Sequence, residues 1–116
     1  MIAVIFEVTP AVGRKAQYLD LAAALLPELK SIDGFISVER FQSLASPDRM
    51  VSLSFFRDEE AVTRWRNTSA HRETQRCGRS GVFADYRLRV AQVERDYGIV
   101  DRDQAPVDSR ETHHDA

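Results

Sequence analysis

The sequence predicts an α+β fold of the ferredoxin-like kind, one antiparallel sheet with helices on one face in the order β-α-β-β-α-β. Three observations carry this. Short β-branched and aromatic runs alternate with helix-period stretches, which argues against an all-β protein. A hairpin turn, Ser46-Pro47-Asp48, sits in mid-chain and argues against a doubly wound parallel sheet. A length of 116 residues suits one domain with a modest core.

Ile2 to Val8 is almost continuously apolar and short, so it reads as a strand that Thr9-Pro10 ends. A helix follows from about Gly13, with Leu19, Ala22, Ala23, Leu26 and Leu29 as its apolar stripe. Pro27 has no N–H for the Ala23 carbonyl, so a kink or an end is expected there. Ile32-Asp33-Gly34 makes a turn. Phe35–Ser43 and Met50–Phe56 form the hairpin strands, the latter with Val51, Leu53 and Phe55 on one face. Asp58 stands at an N-cap, and Glu59 and Glu60 favour the positive end of a helix that turns Ala61, Val62 and Trp65 inward. Asn67-Thr68-Ser69 interrupts that helix, Thr68 or Ser69 recaps it, and Gly78 stops it after Cys77. Gly81 to about Val93 is the fourth strand, expected beside the first, and Ile99-Val100 offers a short last one.

On this reading Ile2, Val4, Phe6 and Val8 lie under the helices. With them go Ile36 and Val38, Val51, Leu53 and Phe55, and Tyr86, Leu88 and Val90. Each such side chain contributes roughly 1.5–3 kcal/mol when fully buried. The open face takes Ile5, Glu7, Phe35, Glu39, Phe41, Phe56, Arg87 and Arg89. Three phenylalanines there exceed ordinary scatter, so a second copy packed sheet to sheet is expected as cover.

The domain spans residues 1–100. The polar stretch 101–116 has a single valine and no periodicity, and reads as a disordered tail. Its adjacent His113 and His114 suit adventitious metal capture at best. Residues 1–100 carry 14 basic and 13 acidic side chains, so charge gives no reason to expect nucleic acid. MVSLSFF, the third strand, lacks the glycine and basic residue of an RNA-reading sheet. No glycine-rich phosphate loop occurs, so nucleotide, nicotinamide and flavin binding gain no support. Lone Cys77 excludes an intrachain disulfide and a cysteine-paired metal site. No run approaches the ~20 apolar residues of a membrane span, and MIAVIFEV carries no basic prelude of a signal, so the cytoplasm is the expected compartment.

Trp65 suits either a core anchor for the second helix or the wall of a cleft, and both can hold. His71 is the only histidine within residues 1–100, able to move a proton near neutral pH or to serve as a capping residue. A dyad with Cys77 is disfavoured, because six helical residues leave the side chains about 120° apart around the axis. Cys77 reads instead as a buried structural thiol. Arg64, Arg66, Arg72, Arg76 and Arg79 read as a solvated surface paired with Glu59, Glu60 and Glu73, or as a rim that attracts an acidic ligand.

GFISVERFQS, LSFFRDEEAVTRWRNTSAHRETQRCGR and FADYRLRVAQVERDYG together resemble the antibiotic biosynthesis monooxygenase family over residues 2–98. The resemblance is most specific in Trp65-Arg66-Asn67, His71-Arg72 and Val93 to Gly98. It implies a dimeric α/β barrel and oxidation of a small phenol- or quinol-like aromatic by O2 without metal or flavin. His71 would then be base or hydrogen-bond partner and Asn67 a polar positioner. Trp65, Phe55, Phe83 and Tyr86 would be the wall. Haem-degrading relatives use an Asn on the first strand with Trp and a more distant His. Here that strand offers Glu7, and Trp65 and His71 are only six apart, so haem binding is a lesser alternative. Another is a non-catalytic dimeric small-molecule-binding or stress-response module.

Overall fold

A computed structural model describes residues 1–112. Its elements are β1 (Ile2–Pro10), α1 (Lys15–Ser31), β2 (Phe35–Gln42), β3 (Met50–Phe56), α2 (Glu59–Arg66), α3 (Ser69–Cys77), β4 (Phe83–Gln92) and α4 (Val107–Thr112). The sheet order is β2-β3-β1-β4 and every neighbouring pair is antiparallel. This is the ferredoxin-like arrangement, with β4 beside β1.

The strand faces differ from the sequence reading in two places. Ile2, Val4 and Phe6 lie opposite Phe56, Ser54 and Ser52, so these three residues of β3 face the helices. Val51, Leu53 and Phe55 lie opposite Glu7, Ile5 and Ala3 on the open face. In β3 the apolar residues mark the open side, and serines sit beneath the helices. In β2 a register shift between Phe35 and Ser37 puts Phe35 in the core and leaves Ile36 52% exposed, while Val38 faces the helices as expected. Phe35 and Phe56 therefore leave the open face, which keeps Phe41 and gains Phe55, Leu53 and Val51.

The core forms two clusters at opposite ends of the strands. Ile2, Leu29, Phe56, Ala61 and Val62 make one, with Phe35, Val38 and Trp65 against it. Val8, Tyr18, Met50 and Val82 make the other, with Phe6, Leu21 and Phe83 against it. Helix α1 buries Tyr18, Ala22 and Leu29, while Leu19 is exposed and Ala23 lies on the outer side. Its inner face is rotated by about one residue from the expected stripe. Pro27 is accommodated inside the helix, because Pro27 and Ala23 are both exposed and water can serve the freed carbonyl.

The caps follow the sequence. The Asp58 carboxylate accepts from the Ala61 N–H at 2.9 Å and starts α2. Thr68 starts α3. Helix α3 ends at Cys77 with Gly78 at its C-cap as expected, but the glycine's φ of −58° is right-handed, so no left-handed cap ends it. The chain runs on into a wide turn over Gly78–Val82, in which Gly81 takes a φ of +117°.

Strand β4 is an edge, so Tyr86, Leu88 and Val90 face the helical side yet stay about half exposed. Ile99 and Val100 are exposed and lie in no strand. Between Asp101 and α4, Ala105 is buried and its carbonyl accepts from Arg110 Nε at 2.9 Å. His113 and His114 lie outside the described residues. Among those described, no helix is long and apolar enough to cross a membrane.

Candidate active site

Between the two core clusters the layers do not close. Serines at positions 52 and 54 leave the middle of the sheet unfilled, and a cavity of about 170 Å³ results. Val4, Phe6, Ser52 and Ser54 form its floor, and Ala22, Leu25 and Leu26 of α1 cover it. The third wall is Trp65 with α3 residues His71, Thr74 and Gln75.

Thr68 organises that wall. Its hydroxyl donates to the Trp65 carbonyl at 2.9 Å and accepts from the His71 backbone N–H at 3.2 Å. One side chain thus ends α2 and starts α3, and the two rings it joins lie 5.0 Å apart between centroids. Trp65 serves both of the roles the sequence allows, since it packs on the core cluster and lines the cavity.

His71 is half-buried. Burial away from water, followed by the charges of Arg72 and Arg66, lowers its pKa below the ordinary 6.5. At neutral pH the imidazole is therefore uncharged and free to accept a proton.

Aromatic rings gather at the β4 end of the cavity. Phe6 and Phe83 have centroids 5.6 Å apart, Phe6 and Tyr86 5.7 Å, and Tyr18 and Phe83 5.6 Å. Phe83 comes this close because Gly78 lacks a side chain: a Cβ there would stand 2.7 Å from Phe83 Cδ2. Arg40 lines the cavity from β2, and Arg79 from the turn after α3.

Of the residues singled out by sequence, His71, Trp65, Phe83 and Tyr86 meet at this cavity. Two do not. Phe55 lies on the open face, because the β1–β3 register turns Ser54 and Phe56 inward. Asn67 is exposed, and its carbonyl oxygen accepts from Arg72 instead of facing the cavity. Sequence reasoning missed Tyr18, Arg40, Ser52 and Ser54. Alternation from the inward Val38 could have revealed Arg40, whereas the serines are hidden by the expectation that the apolar residues of β3 face the helices.

Cys77 is free, half-buried and not part of the cavity lining. In the arginine-rich segment, Arg64 pairs with Glu60 at 4.0 Å and Arg76 with Glu73. Among the described residues no three His, Cys, Asp or Glu side chains gather as metal ligands.

An open four-stranded sheet with helices on one face and a cavity between the layers defines a ferredoxin-like α+β domain. The antibiotic biosynthesis monooxygenase model matches residues 1–76, and the chain belongs to that family. It is 50% identical over 93 residues to the jasmonate monooxygenase ABM of Pyricularia oryzae, covering 80% of this chain and 43% of that protein. It is 31% identical over 62 residues to the uncharacterized protein YqjZ of Bacillus subtilis, covering 53% of each. The chain thus spans about half the length of these curated relatives. The solved structure of Rv0793 from Mycobacterium tuberculosis superposes with a TM-score of 0.75 at 15% identity, over 84% of this chain and 98% of that one.

Proposed function

We propose that the chain is a small monooxygenase that oxidises a phenol-like aromatic held between sheet and helices, with His71 as the base. The observation that carries the reading is a neutral imidazole at the wall of a largely apolar cavity. Membership of a monooxygenase family and the name of the half-identical relative support it.

His71 takes the phenolic proton, and the phenolate passes electron density to its ring carbon, which reacts with O2. In the balanced reaction, a phenol with a free ring position and O2 give a quinone and water. The substrate supplies all four electrons, so neither metal nor flavin is needed. Apolar walls keep bulk water from the reactive ring, and Trp65, Phe83 and Tyr86 hold its faces.

The second half of the proposal is a homodimer. Ile5, Val51, Leu53, Phe55 and Phe41 share the open face with Glu7, whose carboxylate pairs with Arg89 at 2.9 Å and Arg49 at 3.3 Å. A second sheet would cover this apolar surface, as dimeric α/β barrels do.

Oxygen uptake across a panel of phenols, quinols and jasmonate tests the enzymatic reading. At least one phenol should consume O2, and His71→Ala should lower its turnover by roughly 10²–10⁴. Turnover of jasmonate alone would replace the phenol reading, since jasmonate has no phenolic O–H. Uptake by no member, with ligand still bound, would leave a binding module.

A further inference from the structure

The cavity is polarised along the sheet. At one level the register sets Arg40, Ser52, Phe6 and Leu88 side by side across all four strands. The β4 end is aromatic, with Phe6, Phe83 and Tyr86 in mutual ring contact. The β2 end carries a guanidinium beside a serine hydroxyl. Arg40 Nε is buried and has no hydrogen-bond partner.

A buried N–H of a cationic group with no acceptor is costly unless one meets it, and Arg40, half-buried as a whole, presents its Nε in that state. The protein supplies none: no Asp or Glu lines the cavity, and Arg40 forms no ion pair among the described residues. Its sequence neighbour Glu39 lies opposite Leu53, on the other face of the sheet. Arg79, also at the cavity, adds a second positive charge. The planar fork of a guanidinium matches a carboxylate.

We infer that the substrate carries a carboxylate which Arg40 binds, with the apolar or aromatic body of the molecule directed toward Phe6, Phe83 and Tyr86. The substrate class is then an aromatic or alicyclic monocarboxylic acid. For the proposed reaction it narrows to a phenolic acid whose O–H faces His71. This inference rests on the cavity being the substrate site. It does not need the oxidation to be correct.

The test uses two unreactive probes of one shape, 4-phenylbutanoate and 4-phenylbutanamide, in the full chain. Trp65 is the only tryptophan and lines the cavity, so its fluorescence reports binding. The acid should bind about ten- to a hundredfold more tightly than the amide, the range that a hydrogen bond to a charged group gives. Arg40→Met should abolish the preference while keeping amide affinity within a few fold, and Arg40→Lys should keep part of it.

Equal binding of acid and amide by the wild-type protein would overturn the carboxylate assignment and leave the oxygenase reading standing. So would a preference that survives Arg40→Met. Binding of neither probe would remove the cavity as a ligand site, and both readings with it. The wild-type comparison decides the matter even if a variant fails to fold.

Discussion

Gly78→Ala sets two effects of opposite sign against each other, and the structure says which wins. Gly78 has ordinary right-handed backbone angles at the end of α3. Alanine there should stabilise the helical backbone by about 0.5–1 kcal/mol. The new Cβ would stand 2.7 Å from Phe83 Cδ2 and 3.0 Å from Cζ. Carbon atoms pack best at about 3.5–4.0 Å, so the ring must retreat by about 1 Å. It cannot do so freely, because Phe6, Tyr18 and Tyr86 all lie within about 6 Å of its centroid. Overpacking of this kind costs about 1–3 kcal/mol. The net expectation is a loss of up to about 2.5 kcal/mol, read by urea denaturation as a lower midpoint with unchanged slope. In a Phe83→Ala background the close ring contacts are gone, so the cost should shrink and the backbone gain of up to about 0.5–1 kcal/mol should show. Equal costs of Gly78→Ala in the two backgrounds would refute the idea that glycine is there to admit the ring that walls the cavity.

The remaining predictions concern charge and assembly. Since burial lowers the His71 pKa below 6.5, the unfolded chain binds the proton more readily than the folded one. The His71 contribution is then fully present above pH 6.5 and is lost as pH falls from there through the folded value. His71→Gln should flatten that acid-side slope of stability, measured by chemical denaturation at a series of pH values. The same lowered pKa places the acid limb of kcat/KM below pH 6.5, and a limb above pH 7 would contradict a neutral base. Leu53→Asp puts a charge on the open face and should shift a dimer to monomer in light scattering, with little change in probe binding at the cavity. A monomeric wild-type protein at high concentration would dispose of the dimer proposal.

Much of this molecule can be read from its residues. The β-α-β-β-α-β order, the Asp58 cap and the recapping at Thr68 follow from local patterns of capping and period, whereas the direction of His71 turns on a helical register that the sequence does not fix. The faces are harder. In β3 the alternation of serine with Val51, Leu53 and Phe55 points the wrong way, because the usual inference assumes that apolar residues seek the helices. Here the serines leave space beneath the helices, and the apolar set occupies the opposite side. The bulge after Phe35 exchanges the faces of Phe35 and Ile36, while from Val38 onward the alternation reads correctly and places Arg40 on the helical side. Helix α3 ends before Gly78 as expected, but the glycine answers a tertiary contact with Phe83, not a left-handed cap. Proteins depart from local consistency where function asks for it: the β3 serines line the cavity, and Gly78 admits the Phe83 ring that lines it too.

Isotope labelling tests the proposed oxygen insertion from O2 beside His71 most directly. The protein is given the most active phenol of the panel under 18O2 in ordinary water, with a chelator present and no added reductant. One labelled oxygen is expected in a quinone quenched before exchange and the other in water, with one O2 consumed per substrate. A product whose new oxygen comes from solvent, or no turnover until a reductant or metal is supplied, would contradict it.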